Sequence, residues 1–268
     1  MKKYNHYTGK DFTFVVTAYQ ECEYLEEAVK SLVRQTVKAN ILISTSTPNA
    51  FIQDIADRYH IRVCVNPDGG QIKDYNFAMA QPDTELMMLM HQDEILVETF
   101  LEKILRALNY EKDPIIAFTN YLEMHHDEVD QKPSTMIRIK RMMLWPMAVH
   151  GWHDKWICKR GIQLLGNPIT HPTVVCVRNK MPEVVFQEKY KASMDWDLWE
   201  RLSRQKGSFV YVKDVLLYHR MNDLNQTSKL LRTTHARYED EFEIFHRFWP
   251  KPIVKLLMVF YSKAARYY

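Results

Sequence analysis

Between Phe12 and Met90 the chain alternates short apolar or β-branched runs with helix-patterned segments, and no other feature restricts its fold as strongly. Phe12 to Thr17 reads as a strand, and Glu23 to Thr36 places Leu25, Ala28, Val29, Leu32 and Val33 on one helical stripe. Ile41 to Thr45 and Ile61 to Val65 read as the next two strands. Between them, Thr47 and Pro48 look like an N-cap and first helical position for a helix running to Tyr59. The turn Asn66-Pro-Asp-Gly-Gly70 leads into a short helix from Gln71 to Ala80, and Glu85 to Met90 is a fourth strand. Parallel neighbours need a long crossover, usually a helix, so this alternation predicts an α/β fold with a mostly parallel sheet flanked by helices.

The fourth strand ends abruptly in acid: Met87-Met-Leu-Met-His-Gln-Asp-Glu94. Nothing along the apolar part alternates with polar side chains, so the strand is buried on both faces. Its C-terminal end delivers Asp93 and Glu94 to the rim of the sheet, where open α/β folds bind ligands. Two adjacent carboxylates there need positive charge nearby. A divalent metal holding a diphosphate meets that need. So does a helix start, with Glu94 opening the helix that follows, and the residues alone leave both readings open.

After the strand Ile115 to Thr119, the stretch from Tyr121 to Trp156 shows little period beyond one helix over Met136 to Trp145. Such long excursions are often functional. A strand at Val174 to Val177, a helix from Asp195 to Gln205 and two strands, Ser208 to Val212 and Val215 to Arg220, follow. Helices over Thr234 to Phe248 and Ile253 to Ala265 close the chain, separated by Pro250 and Pro252. Ser193 is placed to cap the helix whose first turn holds Asp195 and Asp197, where acids offset the helix dipole. Trp196 and Trp199 bracket these acids, as tryptophans do on sugar-binding surfaces. An Asp held between the helix dipole, which lowers its pKa, and aromatic burial, which raises it, can accept a proton from a sugar hydroxyl. His171, in a Gly-Asn-Pro and His-Pro-Thr context, is a second candidate for the acceptor side.

Several classes are excluded. A net charge of +3 with no Lys/Arg run argues against nucleic acid as a partner. No GxGxxG or GxxxxGK is present, which argues against Rossmann-type dinucleotide binding and P-loop chemistry. Cys22, Cys64, Cys158 and Cys176 lack CxxC spacing and fit reduced thiols. His125-His126 with Asp127 and Glu128, and His150 with His153, match no zinc spacing and read as solvated loop. No apolar run approaches the ~20 residues of a membrane span, and Met1 to Tyr7 lacks the apolar core of a signal peptide. The expected location is therefore cytoplasmic.

Phe14-Val-Val-Thr-Ala-Tyr-Gln-Glu21, followed by Leu25-Glu-Glu-Ala-Val-Lys-Ser-Leu-Val-Arg-Gln-Thr36, resembles the opening of family 2 inverting glycosyltransferases. Asp93 stands where that family ends its metal-binding Asp-x-Asp. Asp195 stands at the catalytic base, and His219-Arg-Met-Asn222 stands at a late loop near the diphosphate. Ile43-Ser-Thr-Ser-Thr-Pro-Asn49, Gly166-Asn-Pro-Ile169 and Phe248-Trp-Pro-Lys251 are similar to a bacterial subgroup of that family. The resemblance implies a nucleotide-diphospho-sugar transferase, or glycosyltransferase A-type, fold with C-terminal helices. Residues 1–120 would form the nucleotide-sugar half, 121–230 the acceptor and catalytic half, and 231–268 a helical extension.

By the same resemblance Ala18, Tyr19, Glu21, Ser46, Asp74, Asn76, His91, Gln92 and Arg220 line the nucleotide-sugar site. Asp93 and Asn222 would ligate Mn²⁺ or Mg²⁺, Asp195 would deprotonate the acceptor, and His171 and Trp196 would border that acceptor. The donor would be a nucleotide-diphospho-sugar, foremost a UDP-sugar, and the acceptor a glycan or lipid-linked glycan. The apolar, basic C-terminal helix would meet the inner membrane surface peripherally. The chain departs from the family pattern in four places. Ser44-Thr-Ser46 replaces an aspartate, His91-Gln92-Asp93 replaces Asp-x-Asp, Met194 replaces the Glu before the base, and Asn222 replaces a histidine ligand. The altered metal motif and Asn222 leave a degenerate nucleotide-sugar-binding protein as the alternative reading.

Overall fold

The computed structural model describes residues 2–125, 127–149, 151–221 and 236–264. Four parallel strands, β1 (Phe12–Ala18), β2 (Asn40–Thr45), β3 (Arg62–Val65) and β4 (Leu86–His91), lie in the order β3-β2-β1-β4. The helices α1 (Leu25–Val33), α2 (Ala50–Arg58) and α3 (Gln71–Ala80) connect them. Beyond β4 come β5 (Glu94–Leu96), α4 (Phe100–Tyr110), β6 (Pro114–His125), β7 (Glu128–Val129) and α5 (Thr135–Met143). The helix α6 (Trp156–Gly161), β8 (Val174–Val177), α7 (Met194–Ser203), β9 (Ser208–Arg220), α8 (Ala236–Phe245) and α9 (Lys251–Ala264) follow. The sheet continues from β4 through β8, β6, β9 and β5, with β7 paired on β6. The strand β8 is antiparallel to both its neighbours, β6 and β9 are parallel, and β5 runs against β9, so the sheet is mixed.

The strand pleat sends alternate residues into two separate cores. Phe14, Val16, Met88 and Met90 pack with Leu25, Val29 and Leu32 of α1 and Ile104 and Leu108 of α4. Val15, Met87 and Leu89 pack on the other face with Ala78 of α3, Leu198 and Trp199 of α7, and Phe245 of α8. An uninterrupted apolar β4 follows from this, since both of its faces are covered.

Several local expectations change. Pro48 does not start α2: Asn49 is the N-cap, its Oδ1 accepting the Ile52 N–H at 2.9 Å. The Thr47 hydroxyl is instead engaged by the Gln20 N–H at 2.6 Å. Glu94 does not open a helix, because Glu94, Ile95 and Leu96 pair with His219, Tyr218 and Leu217 as a strand. The two strands expected over 208–220 are one, which jumps register between Val212 and Val215. Asn120 absorbs the extra residues by donating to the Lys213 carbonyl at 2.5 Å. The strand β6 runs on to His125, so the irregular excursion starts later than Tyr121; it holds α5, and α6 begins where it ends, at Trp156. Among the described residues, no helix is long and apolar enough to cross a membrane.

Candidate functional site

The apolar run of β4 leaves the core at His91, and the chain then crosses the sheet rim into β5. His91, Asp93 and Glu94 converge there, with one ligand atom from each within 4.8 Å of the others. Glu94 is fully buried, its Oε1 2.8 Å from His219 Nδ1 and 3.4 Å from His91 Nδ1. Burial would raise the Glu94 carboxyl, but the charges and hydrogen bonds of His219 and His91 outweigh it and hold it at about 2. Asp93 is pushed up, first by burial and then by the neighbouring Glu94 charge.

Glu94 Oε2 is buried without a hydrogen-bond partner among the described residues. An orphaned buried oxygen is costly, and a cation shared with Asp93 and His91 would satisfy it. One imidazole and two carboxylates suit Mn²⁺ or Mg²⁺. The His91 ring is held from behind by Tyr75, which stacks on it at 5.9 Å and places its hydroxyl 3.2 Å from Nε2. His171 packs 5.7 Å from His91 and also touches Tyr75 and Phe186. Burial, then the His91 charge, drives His171 down to about 3, so it is a neutral wall of this pocket.

Asp195 lies in the first turn of α7. Ser193 is the N-cap by position but its hydroxyl makes no capping bond. Asp240 of α8 satisfies this end instead, accepting the N–H groups of Ala192 at 2.7 Å and Ser193 at 3.0 Å. Asp195 Oδ2 accepts from Asn167 Nδ2 and Oδ1 from the Trp196 N–H, both at 2.8 Å. Burial raises the Asp195 carboxyl; the Trp196 N–H, Lys140 and Asn167 pull it partly back.

The rest of this helix is core. Trp196 is 1% exposed and packs on Phe245 and Phe248, and Trp199 is fully buried, so neither ring offers a surface to a sugar. Asp197, two residues after Asp195, is held at 2.9 Å by Arg201 and at 2.6 Å by Arg247. The buried Glu200 pairs with Arg160, Arg204 and Arg247. Arg247, in the turn after α8, thus joins both buried acids of α7. Arg247→Met should cost about 2 kcal/mol of stability, because Asp197 is left with Arg201 alone and Glu200 with Arg160 and Arg204. An unchanged urea midpoint would show that the network contributes nothing.

Between the two acidic ends stands Lys140. Ser134 caps α5 by accepting the Ile137 N–H at 3.4 Å. Ile137 is buried in the core, and Lys140 one turn later shares its face. The Lys140 Nζ lies 3.2 Å from Thr170 Oγ1 and 3.4 Å from the Tyr121 hydroxyl, and 5.7 Å from the Tyr121 ring centroid. The Tyr121 ring in turn meets His219 edge-on at 6.1 Å.

The rim over β1, β2 and α3 is tied together by polar side chains. Gln92 brackets the Tyr19 backbone, accepting its N–H at 2.8 Å and donating to its carbonyl at 3.1 Å. Asp74 accepts from Ser46 Oγ at 2.8 Å and from Asn66 Nδ2 at 2.7 Å, so a carboxylate stands at the end of β2 although that strand carries none. Gly69 and Gly70, at φ 65° and 100°, make the turn that delivers α3 to this position. Tyr19 and Glu21 are exposed, and Ala18 is buried.

Three expected nucleotide contacts are engaged elsewhere. Asn76 is turned away from Asp74 and clamps the Phe186 backbone, donating and accepting at 2.8 Å. Gln92 has both ends of its amide on Tyr19. Arg220 is buried over the Tyr24 ring at 3.9 Å and pairs with Glu27 at 2.6 Å and with Asp127. His153 pairs with Glu111 at 2.7 Å, so it is not a free loop histidine. Asn222, His126 and His150 lie outside the described residues. Sequence reasoning gave no role to Tyr75, Asn167 or Lys140. Asn167 sat in plain view within Gly166-Asn-Pro-Ile169, whereas Lys140 carried no motif at all.

A family model described as glycosyl transferase family 2 matches residues 13–176. An uncharacterised glycosyltransferase of Haemophilus influenzae is 25% identical over 228 residues, covering 81% of this chain and 67% of the relative. One of Rickettsia typhi is 20% identical over 257 residues, covering 92% and 74% respectively. Among solved structures, Staphylococcus aureus TarS 1–349 in complex with UDP-GlcNAc is 13% identical with a TM-score of 0.61, over 88% of this chain and 71% of that one. The chain spans only 38% of a longer TarS structure. Glucosyl-3-phosphoglycerate synthase from Mycobacterium tuberculosis, in complex with UDP, is 11% identical with a TM-score of 0.53, over 90% of this chain and 80% of that one. At such identities these structures establish a shared fold.

Proposed function

This chain belongs to glycosyltransferase family 2, and from that premise we propose that it moves a sugar, with inversion, from a nucleoside-diphosphate donor to a glycan or lipid-linked glycan. A UDP-sugar is the first donor to test, because the structural neighbours include complexes with UDP-GlcNAc and UDP. The observation that carries the reading is Asp195, a carboxylate raised by burial and aimed by Asn167 and the Trp196 N–H, set apart from the His91, Asp93 and Glu94 group.

Asp195 takes the proton of the acceptor hydroxyl as that oxygen bonds the anomeric carbon. The bond from that carbon to the donor phosphate breaks on the opposite face, and the nucleoside diphosphate departs with the electron pair. A raised but still ionisable carboxyl suits this work, since its basicity rises with its pKa. Asp93, Glu94 and His91 are the residues that would hold Mn²⁺ or Mg²⁺, which when bound offsets the charge gathering on the leaving group. Asp74 and Ser46 present hydrogen-bonding groups to the nucleoside, beside the exposed Tyr19 and Glu21. His171 lines the pocket beside His91 and Tyr75 as a neutral group. At the C-terminal end, α9 would be the element that meets a membrane.

Lys140 faces the diphosphate in this reading. Its ammonium is half-buried and, among the described residues, contacts two hydroxyls and a ring and forms no ion pair. A sequestered cation of this kind favours an anionic ligand. Release of nucleoside diphosphate should therefore be detected from at least one member of a donor panel supplied with Mn²⁺ and a glycan acceptor. In the active pair, Lys140→Met should weaken nucleoside-diphosphate binding about tenfold, leave nucleoside binding unchanged, and be rescued by Lys140→Arg. Tight nucleotide binding without release from any donor would replace the transferase reading with that of a binding protein.

A further inference from the structure

Ten of the large apolar side chains exposed to solvent fall within residues 139–165 and 253–259. Met142 and Ile157 are each 70% exposed, Trp145 59% and Trp156 56%, values that no core or ordinary surface position requires. Three of the six tryptophans of the chain, Trp145, Trp152 and Trp156, stand on this shelf, where Trp145 and Trp152 meet edge-on at 5.6 Å. The shelf adjoins α9. Arg160 of α6 lies over Phe248 at 4.4 Å, and the Trp249 indole donates to the Leu164 carbonyl at 2.8 Å.

The helix α9 buries Val254 and Met258 against the protein yet exposes Leu256 at 59% and Val259 at 52%. A helix apolar on both faces has a second apolar phase to meet. The charge around the shelf is one-sided. Of the seven Lys/Arg in 131–165, Lys140, Lys159 and Arg160 are engaged within the protein, which leaves Lys132, Arg138, Arg141 and Lys155 against Asp154 alone, and 251–268 carry four cations and no acid. Arg138, Lys155, Lys251 and Lys255 are exposed among the apolar groups.

We propose that the α5–α6 shelf and the outer face of α9 together rest on an anionic lipid bilayer, with the three tryptophans at headgroup depth. Tryptophan favours that depth because its ring is apolar and its N–H polar. Exposed cations beside it add attraction to anionic lipid, whereas an apolar protein partner would have no use for so one-sided a charge. The placement fits a lipid-linked acceptor, since α5 carries Lys140 toward the site and Met142 toward the shelf. It does not rest on the transfer reading, because lipid binding is measured without any sugar.

The test is sedimentation of the full chain with vesicles of phosphatidylcholine, alone or with roughly a third phosphatidylglycerol. The wild type should sediment with the anionic vesicles, be released by high salt, and stay in solution with neutral ones. Trp156→Ser with Ile157→Ser should weaken that binding at least about tenfold without altering the circular dichroism, because both side chains lie outside the core. Bilayer-embedded brominated lipid should quench wild-type tryptophan emission, since Trp196 and Trp199 are buried and cannot report it. Absence of sedimentation, equal binding to neutral vesicles, or absence of quenching would each overturn the proposal. So would a wild-type dimer that the double variant converts to monomer, because a second copy would then cover the face.

Discussion

Asp195→Asn is expected to lower sugar transfer by roughly 10²- to 10⁴-fold while donor binding changes little. The amide keeps the shape and its oxygen can still accept from the Trp196 N–H, but its NH2 then faces Asn167 and it cannot take the acceptor proton. Stability separates chemistry from damage. Burial raises the Asp195 carboxyl, so the folded chain retains a proton that the unfolded chain releases. The associated stability is full at low pH, below the ordinary carboxylate value, and is lost as pH rises through the raised folded value. At neutral pH the ionised group therefore costs stability, and the variant should melt no lower than wild type. In the wild type the acid limb of the rate profile should lie above the ordinary aspartate range, because transfer needs Asp195 ionised. Full activity in Asp195→Asn would remove it from the role of base.

Asp197→Asn makes the contrast. Sequence position alone suggests a mild substitution, since the residue is turned away from Asp195. The structure places it at the centre of a buried pairing with Arg201 and Arg247. Its loss should therefore appear as a lower melting temperature, with turnover per folded molecule retained. Equal losses of turnover in the two variants, with equal destabilisation, would point to damage to α7 as the common cause.

The first half of the fold was legible because its rules are local. The pleat period, the helical stripe of α1, the Gly69-Gly70 turn and the apolar β4 each follow from neighbours in sequence. What was misread depends on distant partners. The Thr47 hydroxyl fails to cap α2 because Gln20 engages it, and Glu94 joins a strand because β9 supplies an open edge. Trp196 looked like a sugar platform because a tryptophan beside acids has that appearance from sequence. Only the packing of α8, through Phe245, reveals it as core. Lys140 was invisible for the same reason: it owes its place to Tyr121 and Thr170, 19 and 30 residues away.

Asp93→Asn should abolish the Mn²⁺-dependent part of nucleoside-diphosphate affinity. The three members of the acidic group are not equivalent. Glu94 is committed to His219 and His91, and His91 is held between Glu94 and Tyr75. Asp93 alone has a carboxylate without another side chain bonded to it among the described residues. Its carboxyl is raised by burial and by the Glu94 charge. Losing an outer-shell partner of a metal commonly costs 10- to 100-fold in affinity, so losing a ligand should cost on the order of 100-fold or more. Removing one of two adjacent negative charges relieves repulsion, so nucleotide affinity without metal should hold or rise, and the fold should be unharmed. Glu94→Gln should behave differently, because it breaks a buried pairing with His219 and lowers stability as well. Calorimetric titration of nucleoside diphosphate with and without Mn²⁺ separates these outcomes. If Asp93→Asn keeps the full Mn²⁺-dependent gain, the cation is held elsewhere and the convergence of His91, Asp93 and Glu94 serves only the fold.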